Sequence, residues 1–163
     1  MVEELVDIVD DDDNVIATVT RREMRAGRLQ HRSVGIAVFS TDGRLLIHRR
    51  SLDKDVWPGW WDIAAGGVVA SGETYEDAAR RELEEELGVL DAEVEFIGQS
   101  RFVDETVAEL CRGYRIVHDG PFTFADGEVI EVRWVTFAEL DEMRANHQFL
   151  PDSIALLLPL LLR

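Results

Sequence analysis

The chain has 163 residues, 46% apolar and 31% charged, which suits a buried core and excludes collagen-like and wholly disordered chains. Asp and Glu number 33 against 17 Lys and Arg, and a net charge of −16 repels phosphate polymers, so no nucleic-acid partner is expected. A single cysteine, Cys111, excludes a disulfide framework and a multi-cysteine zinc site.

No repeat or Pro/Gly/Ser-rich linker divides the chain, so residues 1–163 read as one domain, with 1–30 as an N-terminal strand and helix extension. Met1–Asp13 is acidic and lacks an apolar stretch of signal-peptide length. The longest apolar run, Ile154–Leu162, is broken by Pro159 and is too short to span a bilayer. The expectation is a cytoplasmic protein with no membrane partner.

Leu5–Val9 and Val15–Val19 read as strands joined by the solvated turn Asp10–Asp13. Thr20–Arg28 reads as a short helix or turn. Ser33–Phe39 alternates, with Val34, Ile36 and Val38 on one face, and the Asp42-Gly43 turn predicts a hairpin with Arg44–Arg50. Asp53–Trp60 is a loop, and Trp61–Ala65 a short strand ending at Gly66-Gly67. Thr74–Leu87 is the clearest helix, ended by Gly88. Strands follow at Ala92–Gly98, Ala108–Val117 and Val129–Val135. Helices follow at Phe137–Asn146 and at Asp152–Leu162, the last capped by Asp152 or Ser153. This order predicts a mixed sheet packed against helices and not a doubly wound parallel fold.

The chemistry concentrates in the 74–87 helix. At roughly 100° per residue, with Glu82 at zero, Glu86 falls at about 40° and Glu85 at about 300°, so three carboxylates share one arc. Ala79, Leu83 and Leu87 adjoin that arc, which puts the glutamates beside the buried side, while Glu84 points away. Like charges at this spacing repel. Two arrangements relieve that: a hard divalent cation such as Mg²⁺ or Mn²⁺, or a solvated face laced by Arg80–Glu84 and Arg81–Glu85 pairs. Gly66-Gly67 lets the backbone come close and leaves a carbonyl free to ligate, and Glu73 lies where it can reach back to the helix.

Gly67, Glu73, Arg81-Glu82-Leu83, Glu85-Glu86 and Gly88-Val89 resemble the Nudix box at all nine fixed positions of residues 67–89. The resemblance implies the family's α+β fold, an α/β/α sandwich with a mixed β-sheet between helices. It also implies hydrolysis of a diphosphate in a nucleoside-diphosphate or other small molecule, with Mg²⁺ or Mn²⁺. By the same likeness Glu82, Glu85 and Glu86 ligate metal, Arg81 holds a glutamate in place, and the carbonyl of Gly66 or Gly67 completes a metal shell.

The stretch from His31-Arg32 through Phe39, Asp42-Gly43, Arg49-Arg50, Lys54 and Trp57-Pro58-Gly59 to Trp61 is similar to the type I isopentenyl-diphosphate isomerases. That likeness implies that Arg50 and Lys54 hold the substrate diphosphate, and Lys54 is the chain's sole lysine against 16 arginines. His31 matches an isomerase metal ligand and is alternatively a structural histidine. Where those enzymes carry a catalytic Cys and, two residues later, a metal-binding His, this chain has Gly66 and Val68. The expected chemistry is therefore hydrolysis, with isomerase activity and a non-catalytic diphosphate sensor as alternatives.

Asp104-Glu105 and Glu109 lie where the Nudix family often adds a carboxylate. Glu109 is the candidate fourth ligand or general base, or else an exposed strand glutamate. Cys111 reads as a small buried residue. Trp57 and Trp60 are candidates for a wall against the organic part of the substrate, with Trp61 as core. Nothing decides the role of His48. The apolar Ile154–Leu162 helix raises the possibility of a homodimer.

Overall fold

The computed structural model describes residues 3–124 and 127–163. Leu5–Val9 (β1) and Val15–Thr20 (β2) form an antiparallel hairpin. Asp10 sets its turn, where one carboxylate oxygen accepts from the backbone N–H of Asp12 and of Asn14, each at 2.9 Å. Arg21–Gly27 (α1) follows at once, because the Thr20 hydroxyl accepts from the Glu23 N–H and Arg28 closes the helix in the left-handed region.

The remaining strands are His31–Phe39 (β3), Leu45–Arg50 (β4), Trp61–Asp62 (β5), Ala65–Val68 (β6), Glu95–Val103 (β7), Ala108–Val117 (β8) and Val129–Val135 (β9). The remaining helices are Tyr75–Leu87 (α2), Phe137–Asn146 (α3), Pro151–Leu156 (α4) and Leu158–Leu161 (α5). β3 is the hub. One edge runs parallel to β8 from His31↔Glu109 to Phe39↔Val117. The other edge is shared in succession by β1, β6 and β4. β7 adds to β8, and β4 pairs with β5 and β9.

The alternation of β3 sorts the core into two layers. Val34, Ile36 and Val38 pack with Tyr75, Ala79, Leu83 and Leu87 of α2. Ala37 and Phe39 face the other side, with Leu140 of α3 and Leu156, Leu157 and Leu158 of the C-terminal helices. This is the expected mixed sheet between helical layers.

Three sequence expectations need correction. The β3–β4 hairpin exists only at its turn, through Phe39↔Leu45, because β6 takes the edge of β3 and β4 turns to β9. The strand expected to stop at Gly66-Gly67 is instead two, and β6 runs through both glycines. A Cβ at Gly66 would lie 2.1 Å from the Val34 carbonyl oxygen, so only glycine allows this pairing. The last helix begins at Pro151 without a side-chain cap and is interrupted at Leu157. Its leucines 156–158 are buried within the chain, while Leu162 is exposed. Among the described residues no helix is long and apolar enough to cross a membrane.

Leu157 sits in a notch made by two glycines paired across β3 and β8. A Cβ at Gly35 or at Gly113 would come within 2.7 Å of its methyl groups. Gly35→Ala is therefore expected to destabilise the fold by about 1–3 kcal/mol through overpacking. The double variant with Leu157→Ala should be more stable than the sum of the two single losses predicts, because the smaller side chain relieves the clash. Denaturant unfolding of the four proteins measures this, and strict additivity would refute the notch.

Candidate active site

β3 and β4 part beyond their turn, and the opening is a cleft of about 540 Å³. The first wall comes from β6 and α2. Glu82 is buried directly against Gly67, where a Cβ would lie 2.6 Å from its Oε1. Glu86 is half-buried beside it, and Glu85 is exposed at the rim. Arg81 ties this wall together. Its Nε and Nη2 donate to the two oxygens of Glu73 at 2.7 and 2.9 Å, and Nη2 also donates to the Val68 carbonyl at 3.1 Å. Nη1 donates to Glu82 at 2.8 Å and to Glu85 at 3.3 Å. Glu73 also accepts from Ala70 N–H at 3.0 Å, which fixes the loop before the helix.

The electrostatics follow from this packing. The Arg81 hydrogen bonds hold the Glu73 carboxyl below its ordinary range, and the same contact makes Arg81 still harder to deprotonate. Burial pushes the Glu82 carboxyl up, against the pull of Arg81. Burial pushes Glu86 much further, and the negative charges of Glu82 and Asp62 add to it, opposed by Lys54 and Arg50.

The second wall is basic and comes from β4 and the loop after it. Arg50 Nη2 donates to the Val56 carbonyl at 3.2 Å, and Lys54 is ion-paired with Glu128. Trp57 lines the cleft and stacks on Trp60, with ring centroids 6.3 Å apart, while Trp60 itself lies behind. Trp61 is core, stacked on Phe149 as expected.

The floor is a buried carboxyl pair. Glu109 on β8 is buried and not an exposed strand residue. Burial and the neighbouring Asp152 keep its carboxyl protonated well above the usual range, and it donates to Asp152, whose own carboxyl is also raised by burial. His31 Nε2 lies 4.0 Å from Glu109 Oε2 and has no hydrogen-bond partner. Its Nδ1 is 2.9 Å from the Leu29 carbonyl, which fixes the proton on Nδ1. Burial lowers the His31 pKa to about 4. Cys111 is buried, its thiol pushed up by burial and by Glu109. His48 is buried, its pKa lowered by burial.

The structure thus brings Arg50, Lys54, Trp57, Gly66, Gly67, Arg81, Glu82, Glu85, Glu86 and Glu109 to one cleft. It leaves out Asp104, whose carboxylate accepts from Thr106 and Val107 N–H in a turn, and Glu105. Of the two helix pairs expected from the sequence, Arg81–Glu85 forms and Arg80 turns instead to Glu76 at 2.7 Å. Among the described residues no three carboxylate, histidine or cysteine side chains stand together as a finished metal cage. Glu82 and Glu85 both accept from the same nitrogen, Arg81 Nη1. Sequence reasoning missed Asp62, Asp152, Arg21 and Arg25, which also line the cleft. The i,i+4 spacing of the two arginines was the one available signal.

Comparison with known proteins agrees with this architecture. The NUDIX domain family matches residues 29–157. An uncharacterized Nudix hydrolase of Yersinia pestis is 43% identical over 93% of this chain and 82% of its own length. The uncharacterized Nudix hydrolase YfcD of Escherichia coli K12 is 40% identical over 93% of this chain and 83% of its own. The crystal structure of DR0079 from Deinococcus radiodurans superimposes with a TM-score of 0.77 at 29% identity, covering 91% of this chain and 94% of that one. The chain belongs to the Nudix family and is a hydrolase of that family.

The buried neutral His31 makes stability depend on acid. Between about pH 6.5 and pH 4 the unfolded chain takes up a proton on this residue that the native state refuses, so stability falls as pH drops, by up to about 3 kcal/mol. His31→Leu is expected to flatten the stability-versus-pH slope in that window, whatever it does to stability at pH 7. An unchanged slope in urea unfolding across the window would refute this.

Proposed function

We propose that the cleft hydrolyses a diphosphate linkage in a nucleoside-diphosphate or other diphosphate-containing small molecule, assisted by Mg²⁺ or Mn²⁺. The observation that carries this is the charge arrangement of the cleft, with Glu82 and Glu86 of α2 facing Arg50 and Lys54 across it. An anion with a hard cation fits between such walls, and neither alone satisfies both.

The donor set suits the metal. Carboxylate oxygens are the ligands such cations prefer, and the crowding that raises Glu86 is what a divalent charge relieves. Glu82, Glu85 and Glu86 would hold it, with a carbonyl of Gly66 or Gly67. When bound, such an ion polarises phosphoryl oxygens and lowers the pKa of a bound water.

The chain's own residues do the rest. Arg50 and Lys54 grip phosphoryl oxygens. Arg81 orients Glu82 and Glu85 and does not touch substrate. Glu109, sharing a proton with Asp152, is placed to exchange a proton at the cleft floor. Trp57, backed by Trp60, shields the organic part. The isomerase alternative is disfavoured by Gly66, which has no side chain to move a proton, and by the inert buried thiol of Cys111.

Glu86→Gln and Glu85→Gln are each expected to cut phosphate-product release by at least about a hundredfold, the upper end of what losing a metal ligand's outer partner costs. The measurement is a hydrolysis screen over nucleoside diphosphates, nucleotide sugars, dinucleotides, coenzyme A and isoprenoid diphosphates with Mg²⁺ and Mn²⁺. Thermal melts establish that the variants fold. Full turnover in either variant would refute the reading, and tight binding without cleavage in the unaltered protein would identify a sensor instead.

A further inference from the structure

Among the described residues, four buried side-chain polar atoms have no hydrogen-bond partner: Arg25 Nε, His31 Nε2, Ser33 Oγ and Arg50 Nε. Three of them belong to residues lining the cleft, and all three are donors. Two guanidinium nitrogens without an acceptor, in one cleft, call for an anion.

Arg25 and Arg21 come from α1, which precedes the 129-residue stretch matched by the family at 29–157. They sit one helical turn apart and face the same carboxylate, Asp55. Their contacts with it are loose. Arg21 Nη2 and Arg25 Nε lie 3.6 and 3.3 Å from the same oxygen, Asp55 Oδ2, and Arg21 also reaches Glu4 at 3.6 Å. By contrast, Arg81 binds Glu73 in a fork at 2.7 and 2.9 Å, the stronger bidentate geometry. Burial presses Arg25 toward its uncharged form, and Asp55 offsets that only in part. Asp55 is exposed and stands in the 51–60 loop between the basic wall and α1. Burial works against its charge, but Arg25, Arg21 and Arg50 outweigh it and hold its carboxyl below the ordinary range.

We propose that Arg21 and Arg25, next to the diphosphate grip of Arg50, form a second anion subsite that receives a phosphate group beyond the two of the scissile linkage, with Asp55 as the internal counterion it displaces. The proposal rests on reading the cleft as a diphosphate site. It adds that the preferred substrate carries at least three phosphate groups. The third is either the end of a longer phosphate chain or a phosphomonoester on the organic part, and both present the same tetrahedral dianion to the arginines.

Calorimetric titration with inorganic pyrophosphate and tripolyphosphate, at 0.15 M salt as an ionic strength of about that value leaves only short-range attraction, tests binding without hydrolysis. EDTA keeps metal out. The unaltered protein is expected to bind tripolyphosphate at least tenfold more tightly than pyrophosphate. Arg25→Gln and Arg21→Gln should erase that advantage, and Asp55→Asn should enlarge it. Asp55→Asn guards against a trivial loss of fold, since only a displaced counterion makes its removal a gain. Equal affinity for the two anions, or a loss in Asp55→Asn, overturns the proposal. Turnover of ADP against ATP, and of ADP-ribose against its 2′-phosphate, then separates the two sources of the third phosphate, and no preference in either pair overturns the subsite. Cleavage with a flat binding series sinks this subsite alone. An intact binding series with no cleavage of any diphosphate sinks the hydrolase reading and leaves an anion site.

Discussion

The site depends on how closely α2 approaches β6. At Gly66 the strand leaves no room for a Cβ against β3, and at Gly67 it leaves none against Glu82. A helix brought this near the sheet has its carboxylates stripped of water, and their charge must be answered locally. Arg81 gives that answer with every arm of its guanidinium, on Glu73, Glu82, Glu85 and the Val68 carbonyl. Lysine, with a compact ammonium, could not span the loop, the strand and the helix at once. The guanidinium that fixes the loop through Glu73 thus also reaches Glu82 and opposes the upward push of burial on its carboxyl.

That compensation is incomplete by design of the packing, and the deficit is where the chemistry lies. Glu86 receives nothing from Arg81. Its carboxyl feels the negative charges of Glu82 and of Asp62 on β5, with relief from Lys54 and Arg50. In a molecule of net charge −16, Arg50 and Lys54 bring positive charge to a cleft whose charged lining is mostly carboxylate, with Lys54 paired to Glu128. Arginines and a lysine facing carboxylates across one cleft suit a ligand that carries charge of both signs.

The local parts of this site were legible in the sequence. The spacing of Glu82, Glu85 and Glu86 fixes their arc on any helix, and Gly88 ends that helix in the left-handed conformation it favours. Strand alternation placed Val34, Ile36 and Val38 on the α2 face without knowledge of the partner. What was not legible is convergence from distant segments. Asp152 looked like a helix cap, and only the fold shows it against Glu109, 43 positions earlier in the chain. Asp62 reaches the cleft because β5 and β6 insert where β3 and β4 part, contrary to the simple hairpin that the Asp42-Gly43 turn suggested. Arg21 and Arg25 looked like ordinary helix residues, since nothing in their own segment reveals the loop carboxylate they face.

The floor and the acidic wall use the same residue type for opposite purposes. Glu109 and Asp152 lie side by side at the floor, where burial raises both carboxyls and Asp152 adds to the rise at Glu109. Glu82 instead accepts from Arg81, which opposes but does not overcome the upward push of burial on its carboxyl. Position in the fold sets this difference. Leu157, seated between Gly35 and Gly113, fixes the C-terminal helices on the sheet, and with them the start of α4 that carries Asp152. Packing on the far layer therefore helps to set Asp152 beside Glu109 at the cleft floor, where burial rather than an arginine partner dominates the carboxyls.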